Sequence, residues 1–143
     1  MSEIRADNPD RPDPVMTTDS VFFWRAADEG RFVAQQCGGC GQLRHPPRGM
    51  CPSCHSTEKQ EFALTGQGQV ISWIQPVHPP AVGFEQQPVV AVIELDEGLR
   101  FVSNVEDVAP ADMRIGMHVT VAFAQTRGGH QVPVFIPVGG QEA

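Results

Sequence analysis

Apolar residues in the second half of this chain run in short stretches separated by turn formers. In His118-Val119-Thr120-Val121-Ala122-Phe123 they alternate with other residues, while Val89-Val90-Ala91-Val92-Ile93-Glu94-Leu95 is apolar almost throughout. Both patterns suit strands. From Gly66 onward the pattern predicts strands over 68–77, 88–95, 99–105, 118–124 and 132–137. Asp96-Glu97-Gly98 supplies the turn between the second and third, and Arg127-Gly128-Gly129-His130 the turn between the last two. Five short strands without a long helix predict a small closed barrel, because an open sheet would leave its edges unpaired.

Before Gly66 the period changes. Phe22, Phe23, Ala26 and Ala27 recur at helical spacing, Thr17 to Ser20 offer capping side chains, and Gly30 is a stop. A short amphipathic helix is expected over 20–29. Phe22, Phe23 and Trp24 are consecutive and cannot share one helical face, so at least one is expected at the surface or under another chain. A short strand leads from Arg31 into the first of four cysteines, and a connector follows the last of them. The organisation expected is a disordered acidic tail over 1–19, a helix-and-knuckle unit over 20–64, a barrel over 65–138 and a tail over 139–143.

Charge sharpens this division. The net charge is −7, made up of −3 over 1–19, +1 over 20–64 and −5 over 65–143. The one locally basic region is the one that carries the cysteines. A barrel at −5 with no lysine after Lys59 lacks the positive groove that tracks a phosphate backbone, which argues against nucleic acid. The N-terminal residues hold three prolines and no apolar core of a secretory signal, and nothing approaches the length of a membrane span. A cytoplasmic protein is therefore expected. In that reducing compartment, cysteines point to metal before disulfides.

Cys37, Cys40, Cys51 and Cys54 form two C-x2-C pairs separated by ten residues. Each pair presents two thiolates to one ion from a tight turn, and two such turns complete a tetrahedron. Four thiolates leave no open coordination position, so the site is structural. Zinc is preferred, although iron uses the same four ligands. The sequence contains no G-x-S-x-G, P-loop, dinucleotide fingerprint or H-E-x-x-H, and every cysteine is committed to the metal. Read this way, the sequence offers no candidate catalytic residue, and catalysis by this chain alone is not expected.

A series of motifs then carries a resemblance. Phe23-Trp24, Glu29-Gly30-Arg31-Phe32, Cys37-Gly38-Gly39-Cys40-Gly41, Arg44-His45-Pro46-Pro47-Arg48, Cys51-Pro52-Ser53-Cys54, Gly66-Gln67-Gly68, Val92-Ile93-Glu94-Leu95 and Ile115-Gly116-Met117 occur in order. Over about residues 20–138 the sequence resembles the proteins that pair a rubredoxin-like zinc ribbon with an OB-fold (domain of unknown function thirty-five). His55 and the acidic tail depart from the pattern. The resemblance implies a mainly β protein with an N-terminal helix, a ribbon and a five-stranded OB-fold. It also implies an accessory role, in complex with a thiolase-superfamily enzyme such as a thiolase or a steroid side-chain aldolase, with acyl-CoA at or near the interface. Arg31, Arg44, His45 and Arg48 are the candidates for contact with CoA phosphate or an acidic partner, the two loop arginines facing one way. Phe22, Phe23 and Trp24 are candidates for a partner interface, and His78 and Phe84 belong to an apolar, proline-stiffened loop suited to an acyl chain. A nucleic-acid module and a rubredoxin-type electron carrier are the alternatives.

Overall fold

The computed structural model describes residues 4–139. In chain order its elements are β1 (Ile4–Arg5), α1 (Val21–Asp28), β2 (Val33–Cys37), β3 (Leu43–Arg44), β4 (Lys59–Ala63), β5 (Gln67–Ile74), β6 (Val89–Leu95), β7 (Arg100–Val105), β8 (His118–Gln125) and β9 (Gln131–Pro137), with a 3-10 turn at Pro110–Asp112. The fold is mainly β, and a ribbon sheet precedes a barrel. The five barrel strands lie within two residues of the expected positions, except that β5 ends at Ile74 rather than 77.

Burial along β6 alternates without a break, with Val89, Ala91, Ile93 and Leu95 turned inward. That period of two sets the register of its neighbours, because a slip of one residue would turn the buried set to water. β5 and β7 flank β6 in antiparallel register, Trp73 opposite Ala91 and Phe101 opposite Ile93. Closure comes from β8, which pairs with β5 through Gln67 to Gln69 and with β9 along its whole length. A single parallel step, Val105 opposite Phe135, joins β7 to β9 and completes the ring of five.

The ribbon is a separate antiparallel sheet in the order β3-β2-β4. Its strands are too short to own a core, so it borrows one. Phe32, at the entry to β2, sets its ring 5.2 Å from Phe101 and 5.9 Å from Phe135 of the barrel. Phe23 of α1 reaches the same cluster, 5.8 Å from Phe101. Helix, ribbon and barrel therefore share one apolar core. A second tie is polar. The Asp28 carboxylate, at the end of α1, accepts the Gln131 N–H at 2.9 Å and meets His130 Nδ1 at 3.0 Å in the β8–β9 hairpin.

The acidic N-terminal segment departs from expectation. In place of disorder, residues 4–19 lie along the molecule. β1 adds in parallel to β8, Ile4 opposite Phe123. Arg5 pairs with Glu106 and Asp107. Arg11 is 4% exposed, ion-paired to Glu106, hydrogen-bonded to Asn104 Oδ1 at 3.1 Å and stacked 5.2 Å above the Phe84 ring. Thr126 Oγ1 and the Gly128 N–H donate to Asp13. The composition misleads because this arm is ordered by charge-assisted bonds rather than by apolar burial, the quantity from which disorder is read. Residues 1–3, and the expected C-terminal tail from 140 onward, lie outside the described residues. Replacing Arg11 by alanine should lower the unfolding free energy by about 2–3 kcal/mol, the scale of hydrogen bonds to charged groups. Urea denaturation measures it, and an unshifted midpoint would show that the arm contributes nothing.

Candidate metal centre and its surroundings

The two cysteine turns have the same local structure. Cys37 N–H donates to Gln42 O and Gly41 N–H to Cys37 O; Cys51 N–H donates to Ser56 O and His55 N–H to Cys51 O. Gly41 takes a positive φ of 82° after the first turn, and His55 repeats that left-handed geometry at 64° after the second. The histidine noted as a departure thus occupies a position that favours glycine. In the first turn the Gly39 and Cys40 N–H groups point at Cys37 Sγ from 3.3 and 3.4 Å. Gly39 is needed for closeness rather than for φ, because a Cβ there would fall 3.3 Å from Cys54 Sγ and 2.9 Å from the Ser56 Cβ.

All four sulfurs lie within 4.8 Å of one another. Cys37 and Cys54 are 3.5 Å apart at sulfur, and Cys40 and Cys51 3.7 Å. A tetrahedral ion with metal–sulfur bonds of about 2.3 Å requires sulfurs about 3.8 Å apart, whereas a disulfide requires about 2.05 Å. The spacing therefore fits a closed four-thiolate metal site. Electrostatics agrees. The Cys40 N–H, with that of Gly39, draws the Cys37 thiol down to about 6. The Cys54 N–H acts likewise on Cys51. At Cys54 the Ser56 N–H pulls the same way, but Cys37, burial and the other thiols push the group up to about 11. Four sulfurs this close cannot all carry charge without a cation among them.

The basic segment is arranged differently from the expectation. Arg44 is 7% exposed and faces inward, its Nε donating to Gln35 Oε1 and its Nη2 to Arg48 O. Gln35 Oε1 also accepts the Arg48 N–H at 2.9 Å. Arg44 and Arg48 therefore do not face one way. Arg44 sits in the ribbon interior because its cross-strand partner in β2 is the buried Gln35, and only the Arg48 side chain is exposed. Gln35 belongs to no sequence motif; only strand register shows its role. His45 is half-buried, its ring 4.6 Å from Phe101 and 5.5 Å from Phe23, which places it in the aromatic junction. Arg31 is exposed but held by Glu29 and Glu61, each at 2.8 Å.

Of the three helix aromatics, Phe23 is buried in the core, so its side chain is not at the surface as a partner contact would need. Phe22 and Trp24 are partly buried against the same core. Phe84 is taken up by Arg11, and His78 is exposed on the loop. The structure thus gathers the four cysteines in one cage and brings Phe23, Trp24 and His45 together in the aromatic junction.

Comparison with known proteins places these observations. Residues 24–60 match the family described as ChsH2, rubredoxin-like zinc ribbon domain, and residues 61–124 the one described as ChsH2, C-terminal OB-fold domain. A probable enoyl-CoA hydratase alpha subunit of Thermomonospora curvata is 41% identical over 132 residues, which is 92% of this chain but 41% of that protein, so the chain spans about two fifths of its length. A DUF35 domain-containing scaffold protein of Methanocaldococcus jannaschii is 36% identical over 111 residues, 75% of this chain and 78% of that one. Among solved structures, a chain of the Ltp2-ChsH2(DUF35) aldolase is 40% identical with a TM-score of 0.83, over 87% of this chain and 98% of that chain.

Two outcomes follow from the geometry. A chelator strong enough to strip four thiolates should unfold the ribbon and broaden backbone amide resonances of 33–63, because metal-binding free energy of about 10 kcal/mol serves as folding free energy there; an unchanged spectrum would deny the site its structural role. Burial holds His45 at about 4, below its usual 6.5, so folding favours the neutral ring. The unfolded chain then takes up the proton first, and stability present above pH 6.5 is lost as pH falls through about 4. His45→Leu should flatten that part of the stability–pH curve relative to wild type. Both proteins keep the thiolates, so the difference isolates the ring.

Proposed function

Because the chain belongs to the DUF35 family, in which a rubredoxin-like zinc ribbon precedes an OB-fold, we propose that it is the accessory subunit of a thiolase-like enzyme acting on acyl-CoA. The observation that carries the proposal is the 40% identity and TM-score of 0.83 over 98% of one chain of an aldolase named for two proteins. The aldolase role is preferred to hydration because the likeness there spans the whole of that chain, against 41% of the hydratase subunit.

The side chains are consistent with an accessory role. The four cysteines face one another and offer no nucleophile. Burial keeps His45 neutral inside the aromatic junction. Acyl transfer or carbon–carbon cleavage would therefore draw its reacting groups from the partner, and this chain would supply a rigid surface beside the acyl-CoA. The ion in that rigid frame is assigned as zinc, which has no redox chemistry to impose on a neighbouring site.

A tagged copy purified from its native source should retain a thiolase-superfamily protein in fixed stoichiometry, identified by mass spectrometry, together with one colourless zinc per chain. Recovery of this chain alone, without any such protein, would overturn the accessory reading. Iron with visible absorbance would overturn the metal assignment and favour an electron carrier.

A further inference from the structure

The outward face of β5, β6 and β7 is unusually apolar. Strand register sets Ser72, Val92 and Val102 in one row and Ile74, Val90 and Asn104 in the next. Four of these six outward positions are isoleucine or valine, whereas the solvent face of an antiparallel sheet is ordinarily polar. Val102 is 64% exposed and Ile74 62%. The loop that continues from Ile74 adds Val77 and Val82, still more exposed. That loop is braced across its own neck and by the arm, since Gln75 donates to Gln87 O, Ala81 N–H to Gln87 Oε1 and Asn8 of the arm to Gly83 O.

Resting on the accessory-subunit reading, we propose that this β5–β6–β7 face, with the Val77–Val82 loop, is where the thiolase-like partner docks. The elements first expected to form the interface are engaged within the chain: Phe23 is in the core, Arg44 is inside the ribbon and His45 lies against Phe101. A continuous β-branched surface flanked by polar groups is the form of a protein interface. Charge chooses the occupant. Residues 65–139 hold seven acids against three arginines, and the chain carries −7. Arg5 and Arg11 of the arm beside this face are paired internally with Glu106. A second copy would set like charge against like, while a partner presenting an apolar patch with a basic rim would meet a complementary field.

The test uses the full chain and the thiolase-superfamily protein purified with it. Val102→Arg and Ile74→Arg alter exposed side chains, so their melting temperatures should match wild type. Each should weaken binding by about 30-fold or more, the scale of a hot-spot residue. Glu58→Arg, on the exposed ribbon surface, should stay within about threefold of wild type. Wild-type affinity in both valine and isoleucine variants, with the complex itself intact, overturns the assignment of this face alone. A wild-type homodimer split by the same variants, seen by sedimentation, also overturns it and gives the face to a second copy. Absence of any wild-type complex overturns the accessory reading, and this proposal with it.

Discussion

Helix, ribbon and barrel are held together by one aromatic junction. Phe32 stands between Phe101 and Phe135, with Phe23 and the His45 ring closing the sides. A ribbon of three short strands cannot bury enough apolar surface to fold unaided, and a helix of eight residues is marginal in water. Both become stable only because their aromatic residues insert into a core that the barrel already provides. That shared core also fixes the ionisation of His45, since a ring packed among phenylalanines cannot hold a proton at neutral pH.

The far end of the ribbon relies on a different force. There the chain turns twice in the same way, and each turn aims backbone N–H groups at sulfur. Those groups stabilise thiolates, and the thiolates then oppose one another, so a bound cation is what reconciles them. The ribbon is thus secured by a metal site at one end and by aromatic packing at the other. Between them Gln35 joins β3 to the loop after it, accepting from both Arg44 and Arg48. The segment that looked like a phosphate-binding loop is in part internal scaffolding.

The arm is the third device. Its arginines find acids on the barrel, Arg11 with Glu106 and Arg5 with Glu106 and Asp107, so two of the acids that make the barrel negative are paired within the chain. Arg11 also covers the Phe84 ring, and Asn8 holds Gly83. The arm therefore orders the loop between β5 and β6 and leaves that loop's valines facing outward. An interface made in this way is an apolar face bordered by an ordered arm and loop.

The cysteine spacing, the alternation in the barrel strands and the turn residues were legible from sequence, because each depends on neighbours within a few positions. The same locality made the α1 helix readable from Phe22 to Ala27. What lay beyond reach was which side of each residue the fold would cover. Arg44 and Arg48 look equivalent in the sequence, yet cross-strand register with Gln35 buries one and exposes the other. The arm looked disordered because its composition lacks apolar residues, while its order comes from acids about a hundred positions away. His45 reads as a contact for CoA or a partner, and only the barrel shows Phe101 against its ring. Sequence by itself determined the metal cage, the strands and the family. Tertiary structure alone decided which charged and aromatic groups remain available to a partner, since availability depends on burial, and burial depends on contacts between residues far apart in the chain.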